Sequence, residues 1–204
     1  MCSSDLFLTP ALLRLGYAAM GGQHLVEIAM EAMRPLRDEV RETVLVGALR
    51  GGEGVILAQL PGLHQFRYTV DAGVFHSLHT AAPAKAILAA RPAAERAPVL
   101  AAMAFPRLTS RTLTTRAAFE RELERVARDG YAVDRAEEFE GVHCVGAVVR
   151  DLHGHPEAAV WVTGPAERMP RSKFAWFGAR VKACADAITE RLGGSPGHGP
   201  DAGG

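Results

Sequence analysis

Three residues in the second half of the chain have side chains suited to ligand binding or chemistry: Cys144, Trp161 and Thr163. Segments 142–149 and 158–163 are rich in β-formers, and alternate side chains of a strand point to the same face. This alternation puts Trp161 and Thr163 on one face of their strand, and Cys144 on one face of the other. If both faces line the same cup, a thiol, an indole and a hydroxyl converge there, as in a typical small-molecule site.

Covalent catalysis needs a nucleophile with a base beside it. The sequence offers only Cys144 with His79 or His143 as such a pair. Adjacent residues of a strand point to opposite faces, so His143 is poorly placed to activate Cys144. The acidic residues of segment 134–138 could serve acid–base chemistry, but charge clusters in connecting segments are usually solvated. The pattern therefore favours a binding protein, and we expect no enzyme.

Zinc binding is the other chemistry to weigh, because imidazole, thiolate and carboxylate groups all ligate zinc. The side chains that could join Cys144 or Asp134 in such a site are His64, His76, His79 and His143. None of these histidines forms a helix-face pair of the His-Glu-x-x-His kind. The three cysteines are widely spaced and include no C-x-x-C pair, which argues against a structural zinc site and a disulfide framework. We therefore expect no metal and no other cofactor.

Helices that would position these groups are predicted from apolar residues at helical spacing. Segments 23–41 and 171–192 are amphipathic, and we expect them to pack together on one side of a sheet. Pro35 is expected to kink or split the first of them. Shorter helices are predicted over about 81–90, 93–103 and 115–130.

Strands are predicted where β-branched and aromatic residues alternate with turn residues, at 43–46, 54–57, 66–70, 142–149 and 158–163. The strand at 66–70 would bring Phe66 and Tyr68 to the wall of the cup. Runs of strands interrupted by helices indicate an α+β fold, with helices flanking an antiparallel sheet of about six strands.

Composition limits the class of protein. With 204 residues, 48% of them hydrophobic, the chain can bury one sizeable core. Lys and Arg total 23, as do Asp and Glu, so the basic stripe of a free-standing nucleic-acid binder is not expected. No apolar run approaches the roughly 20 residues of a membrane span, and the start lacks a signal-peptide pattern. We expect a soluble, cytoplasmic protein with no membrane partner.

Short motifs in a fixed order run through about residues 7–193. They are LTPALLRLG at 8–16, ETV at 42–44, SLHTAAPAKAILA at 77–89, GYAVD at 130–134, GVHCV at 141–145, VRD at 149–151 and TGP at 163–165. Each motif alone is weak, but the ordered set resembles bacterial transcription regulators of the IclR type. The resemblance implies a fold related to GAF and PAS sensors, in which a curved sheet cups a small organic acid. It also implies homodimers or homotetramers that bind DNA only through a winged helix-turn-helix preceding residue 7.

The resemblance also assigns site residues. The positions that match the family's effector contacts are Ala82, Pro83, Asp134, Cys144, Trp161 and Thr163. The position of His79 matches a residue that braces the central helix. Trp161 departs from the family, because a small hydroxyl residue is usual there. Pro83 lacks the N–H that a helix N-terminus would offer to an anion, so we expect a smaller or more aromatic pocket.

We divide the chain into a remnant of the wing and linker helix at 1–22, an effector-binding domain at 23–193 and a disordered tail at 194–204. Residues 2–6 match a translated sequencing adapter, which suggests that residues 1–6 are not native. Two alternatives to a sensor stay open. One is a GAF-like enzyme with Cys144 as a reactive thiol, and the other is a dimerisation module whose pocket has closed around Trp161.

Overall fold

The computed structural model describes residues 23–50, 53–70, 73 and 77–196. The predictions for residues 1–22 and for tail residues 197–204 lie outside the described residues. In chain order the elements are α1 (Gln23–Val40), β1 (Thr43–Arg50), β2 (Glu53–Leu60), α2 (Ala82–Ala90), α3 (Ala93–Ala102), α4 (Arg116–Asp129), β3 (Ala132–Arg135), β4 (Val142–Arg150), β5 (Pro156–Pro165), a 3-10 turn (Arg171–Lys173) and α5 (Phe174–Arg191).

The strands form an antiparallel sheet in the order β2-β1-β5-β4-β3. The α+β prediction is confirmed, but the described residues form five strands, and the prediction of about six was wrong. The predicted strand at 66–70 is irregular, whereas the short strand β3 was not predicted.

Side chains, not a backbone ladder, hold segment 66–70 against the sheet. The Gln59 amide on β2 accepts a hydrogen bond from the Val70 N–H and donates one to the Val70 carbonyl. On β1, the Thr43 hydroxyl donates to the Tyr68 carbonyl. These bonds pair three backbone groups of the segment, the Tyr68 carbonyl and the Val70 N–H and carbonyl, with side chains instead of a neighbouring strand.

Helices α1 and α5 pack together on one face of the sheet, as the sequence predicts. The apolar stripe of each helix is buried in the same core, which includes Met33, Val181 and Ile188. Ion pairs between the two helices join Glu39 to Arg180 and Glu31 to Arg191. Buried apolar contacts of this kind supply most of the stability of a helix in a protein.

Pro35 lies inside α1 but does not split it, so that part of the prediction was wrong. Met33 and Leu36, on either side of it, are both buried in the core. We attribute the continuous helix to this packing, which offsets the one backbone hydrogen bond that proline removes. The helix ends at Val40, and Arg41 follows with a φ of 62°.

The opposite face of the sheet carries α2, α3 and α4, which share a second core. The Thr115 hydroxyl caps α4 by accepting a hydrogen bond from the Ala118 N–H, and Gly130 ends the helix with a φ of 78°. Both features are predicted by the sequence. Helix α2 lies directly over β4 and β5, so its N-terminal end faces the strands that carry Cys144 and Thr163.

Glu42 and Gly164, which belong to the short motifs at 42–44 and 163–165, lie against each other in the structure. Glu42 is buried, and its carboxylate forms an ion pair with Arg168. A Cβ atom at Gly164 would lie 2.7 Å from a carboxylate oxygen of Glu42. A side chain at 164 would therefore displace the Glu42 carboxylate from its ion pair with Arg168, and this ion pair ties the start of β1 to the chain that follows β5.

Candidate functional site

A recess opens between the N-terminal end of α2 and the sheet face of β1, β4 and β5. It encloses about 380 Å³, part of which is open to solvent. We call it the polar recess, and its lining residues are Leu45, Tyr68, Val70, Ala81, Ala82, Pro83, Asp134, Glu138, Phe139, Val142, Cys144, Trp161 and Thr163.

Strand register brings three of the predicted site residues into one row. Asp134 on β3 lies opposite Cys144 on β4, which lies opposite Thr163 on β5. The Cys144 Sγ and Thr163 Oγ1 atoms are 3.1 Å apart, within hydrogen-bond distance for sulfur. The alternation of each strand thus sets a carboxyl, a thiol and a hydroxyl side by side on the face that α2 covers.

Trp161 belongs to the next row of the same face. It lies opposite Gly146 on β4 and Leu45 on β1. A Cβ atom at Gly146 would lie 3.1 Å from the Trp161 Cβ, so the missing side chain at 146 makes room for the tryptophan. The indole forms part of the wall of the polar recess, and the neighbouring rings of Tyr68 and Phe139 also line it.

A buried ion pair fixes the chain beside Asp134. Lys85 on α2 is completely buried, and its Nζ lies 2.6 Å from Glu137 Oε2 and 3.1 Å from the Val133 carbonyl oxygen. The backbone N–H of Glu137 donates to Asp134 Oδ1 at 2.7 Å. Lysine at position 85 therefore holds the turn after β3, and this turn orients the Asp134 carboxyl group.

The recess favours a neutral Asp134. Burial raises the pKa of its carboxyl group to about 7, because charged groups are poorly solvated inside a protein. The nearby Lys85 ammonium and the hydrogen bond from Glu137 oppose this rise, while the carboxylates of Glu137 and Glu138 add to it. At neutral pH a large fraction of Asp134 is therefore protonated and able to donate a hydrogen bond.

The Tyr68 phenol is also kept neutral, since burial raises its pKa to about 12, with Cys144 and Glu138 adding to the rise. The polar recess thus presents neutral donors from Asp134, Tyr68 and Thr163. The N-terminal end of α2 adds to them, because no side chain among the described residues caps that end. Its first-turn N–H groups lack intrahelical acceptors, except that Pro83 has no N–H.

Cys144 is set for contact rather than for reaction. Burial raises the pKa of its thiol well above the usual value, the neighbouring Asp134 adds to the rise, and the hydrogen bond with Thr163 opposes it. The thiolate is the nucleophilic form of cysteine, so this environment suppresses reactivity.

We expect Cys144 to react with iodoacetamide at pH 7.5 at least tenfold more slowly in the folded domain than after unfolding in urea, because its thiolate is disfavoured. Mass spectrometry of digested samples would follow Cys144 separately from Cys2 and Cys184. Cys184 is the internal control, since its burial raises its pKa to about 12 and it is not among the residues that line the polar recess. Alkylation of native Cys144 as fast as of the unfolded chain would instead support the reactive-thiol alternative.

Two of the predicted site residues, Phe66 and His79, are not among the residues that line the polar recess. Phe66 is 79% exposed and does not line the polar recess, because segment 66–70 is not a strand and its side chains do not alternate against the sheet. His79 is buried behind the recess, where its Nε2 lies 3.0 Å from the Pro106 carbonyl oxygen and its ring packs against Phe105. This position suits the bracing role that the resemblance implies.

The histidines considered for zinc lie apart in the described structure. His143 contacts the Met169 carbonyl through Nδ1, on the face away from Cys144. His64 lies 3.6 Å from the Glu42 carboxylate, and His76 lies outside the described residues. Within the described ranges, no group of three or more His, Cys, Asp or Glu side chains could hold a metal ion.

Several lining residues were missed at the sequence level, notably Leu45, Val70, Ala81, Glu138, Phe139 and Val142. Val142 could have been found, because alternation puts it on the same face as Cys144. Leu45 required the strand order, which sets β1 beside β5. Val70 and Phe139 lie in irregular segments, whose paths no periodicity predicts.

Comparison with known proteins decides the family. Residues 17–190 match the family model described as the bacterial transcriptional regulator IclR C-terminal domain. The chain belongs to the IclR family. Curated relatives of this IclR-type domain include the HTH-type transcriptional regulator BhcR of Paracoccus denitrificans, 33% identical over 89% of this chain. The HTH-type transcriptional repressor AllR of Klebsiella pneumoniae is 29% identical, also over 89% of the chain.

Solved structures give the same result. The IclR protein of Thermotoga maritima superposes with a TM-score of 0.82 at 28% identity, and the match covers 90% of this chain and 74% of that one. The C-terminal domain of Escherichia coli KdgR superposes with a TM-score of 0.75 at 26% identity, over 84% of this chain and 99% of that domain.

The IclR-type domain spans 62% of the length of the P. denitrificans regulator and 67% of the K. pneumoniae repressor. In its described part, no helix is long and apolar enough to cross a membrane.

Proposed function

We propose that this IclR-type domain binds a small organic acid in the polar recess and thereby controls promoter binding by a winged helix-turn-helix module. One observation carries the proposal: the row of Asp134, Cys144 and Thr163 meets the uncapped end of α2 within a single recess. Apolar walls with a few convergent polar groups are the usual anatomy of a small-molecule site.

A carboxylate suits the donors that the recess offers. The hydroxyl groups of Tyr68 and Thr163 and the first-turn N–H group of Ala82, which all belong to residues lining the recess, can each donate to a carboxylate oxygen. Helix N-termini favour anions. A carboxylate beside Asp134 would be repelled if Asp134 were ionised, so we propose that Asp134 binds in its protonated form and shares its proton with the ligand.

We further propose that the domain assembles as a homodimer or homotetramer and contacts DNA only through the separate module. Opposite charges pair within the domain, for example where Arg125 bridges Glu122 and Asp129 on α4. Paired charges of this kind leave little positive potential for a phosphate backbone.

Fluorescence of Trp161 gives a direct test of binding. Trp176 is 38% exposed on α5, on the opposite face of the sheet, and stacks under Arg180. The Trp176→Phe variant therefore leaves Trp161 as a probe within the recess wall. We expect saturable changes in emission on titration with some members of a panel of 2-oxo, 2-hydroxy and aromatic carboxylates.

The matched control is Trp176→Phe/Thr163→Val, which keeps the shape of residue 163 but removes its hydroxyl. We expect it to bind the same acids about tenfold more weakly, as for the loss of one hydrogen bond to a charged group. If no acid changes the emission, and Trp161→Ser binds none either, the recess is not a carboxylate sensor. The closed dimerisation module would then be the better account.

A further inference from the structure

A second recess adjoins the polar recess, on the other side of the Trp161 indole. It lies between the β1–β2 hairpin and α2 and encloses about 300 Å³, again partly open. Its lining includes Leu49, Ile56 and Ile87, and no charged side chain is among the described residues that line it. We call it the apolar recess.

Trp161 separates the two recesses. Both are lined by Ala81, Pro83 and Trp161, so the indole and the start of α2 form a common wall. Trp161 is only 4% exposed and packs with Leu45 and Ile56.

The indole packs against β1 at a local irregularity of that strand. The β1–β2 register shifts between Val46 and Gly47, and a Cβ atom at Gly47 would lie 3.0 Å from the Trp161 Cη2 and 2.6 Å from the Val55 carbonyl oxygen. The ring therefore occupies the space that a larger residue at 47 would need. Protein interiors are close-packed, so the indole has little free space on the side that faces Gly47.

We infer that Trp161 determines the length of the acid that the domain accepts, by closing the polar recess against the apolar recess. This inference rests on the proposed function, since it assumes that the carboxylate binds beside Asp134 and Thr163. In the natural protein the ligand is limited to a short acid whose far end meets the indole. Without the indole the two recesses would join. Because none of the described residues that line the apolar recess carries a charged side chain, the added space would favour a longer hydrocarbon chain on the acid.

Calorimetric titration with straight-chain 2-oxo acids, from pyruvate through 2-oxooctanoate, tests this inference. We expect the natural protein to bind the shorter acids and to lose affinity as the chain grows. In Trp161→Ala the order reverses, and affinity rises about fourfold for each methylene that enters the apolar recess. The same length preference in both proteins would overturn the inference.

Two further variants keep the test decisive. Trp161→Leu retains part of the apolar contact in case Trp161→Ala fails to fold, and we expect its preferred length to be intermediate. Trp161→Ala/Ala84→Leu refills the apolar recess from α2, since Ala84 lines that recess and not the polar one. This double variant should lose the gain for long acids but keep binding of short ones.

The outcomes also separate the two proposals. If neither the natural protein nor any folded variant binds an acid of any length, the proposed function fails. If the natural protein binds short acids and the refilled double variant still prefers long ones, the sensor stands. The assignment of length control to Trp161 is then wrong.

Discussion

Replacing Lys85 with methionine is expected to lower the free energy of unfolding by about 3–5 kcal/mol, the usual cost of removing one partner of a buried ion pair. Lys85 Nζ is the donor to both Glu137 Oε2 and the Val133 carbonyl, and all three residues are buried. Methionine fills a similar volume but donates no hydrogen bond. The Glu137 carboxylate would remain in the interior without its nearest cation, and Arg135 Nη1 would lie 3.9 Å from its other oxygen.

Urea denaturation gives the free energy of unfolding from the transition midpoint and slope. The double variant Lys85→Met/Glu137→Gln removes both charges, and we expect it to recover at least half of the loss. The control is Arg116→Met on the surface of α4, where both partners of the Arg116–Glu120 ion pair are largely exposed. It should cost no more than about 0.5 kcal/mol. A loss in Lys85→Met as small as the control's would show that this ion pair does not stabilise the fold.

Binding of a carboxylate should weaken about tenfold for each pH unit above about 7, and should depend little on pH below about 6. The acid itself is ionised throughout this range. The change in affinity comes from Asp134, because burial raises the pKa of its carboxyl group to about 7. Below that pH its protonated carboxyl group donates to the ligand, and above it the ionised group repels the ligand.

The same shift has a consequence for stability with a definite sign. The folded state holds the Asp134 proton more tightly than the unfolded chain, whose carboxyl group has the ordinary value of 3.8. The resulting stabilisation is complete below the unfolded value and is lost as the pH rises through about 7. Asp134→Asn keeps a donor and removes the titration. It should therefore be more stable than the natural protein at pH 8.

Dissociation constants measured by Trp161 fluorescence in the Trp176→Phe background, at pH 6, 7 and 8.5, test the proton linkage. We expect the Asp134→Asn variant to bind at all three values with little change. Glu138→Gln is the matched control, because Glu138 also lines the recess. It should keep the pH dependence but move its midpoint to lower pH, since the Glu138 carboxylate adds to the raised pKa of Asp134. An equally steep pH dependence in Asp134→Asn would mean that another group carries the proton.

Local patterns predict most of the fold. The capping Thr115 and the terminal Gly130 delimit α4, and alternation correctly sets Trp161 and Thr163 on one face of β5. These features depend on neighbours in the chain. The resemblance to IclR regulators predicted three further lining residues, Asp134, Ala82 and Pro83. Local patterns could not predict them, because these residues reach the face of β5 only through contacts between distant parts of the chain.

Other features depend on contacts that no local pattern encodes. Segment 66–70 has the composition of a strand, yet the Gln59 side chain takes the backbone bonds that a neighbouring strand would have made. Nothing in the sequence around Lys85 indicates that Glu137, 52 residues further along the chain, is its partner. The position of Trp161 between the two recesses is another such feature. The indole packs at the irregularity of β1 beside Gly47, and only the strand register reveals that irregularity.

A crystal structure of the domain with the tightest-binding carboxylate tests the central claim most directly. We predict that the ligand lies in the polar recess, with its carboxylate within hydrogen-bond distance of Thr163 Oγ1 and of a first-turn N–H of α2. Asp134 should be close enough to share a proton with it, and the far end of the ligand should contact the Trp161 indole. A ligand bound elsewhere, with the polar recess filled by the protein's own side chains, would contradict the account.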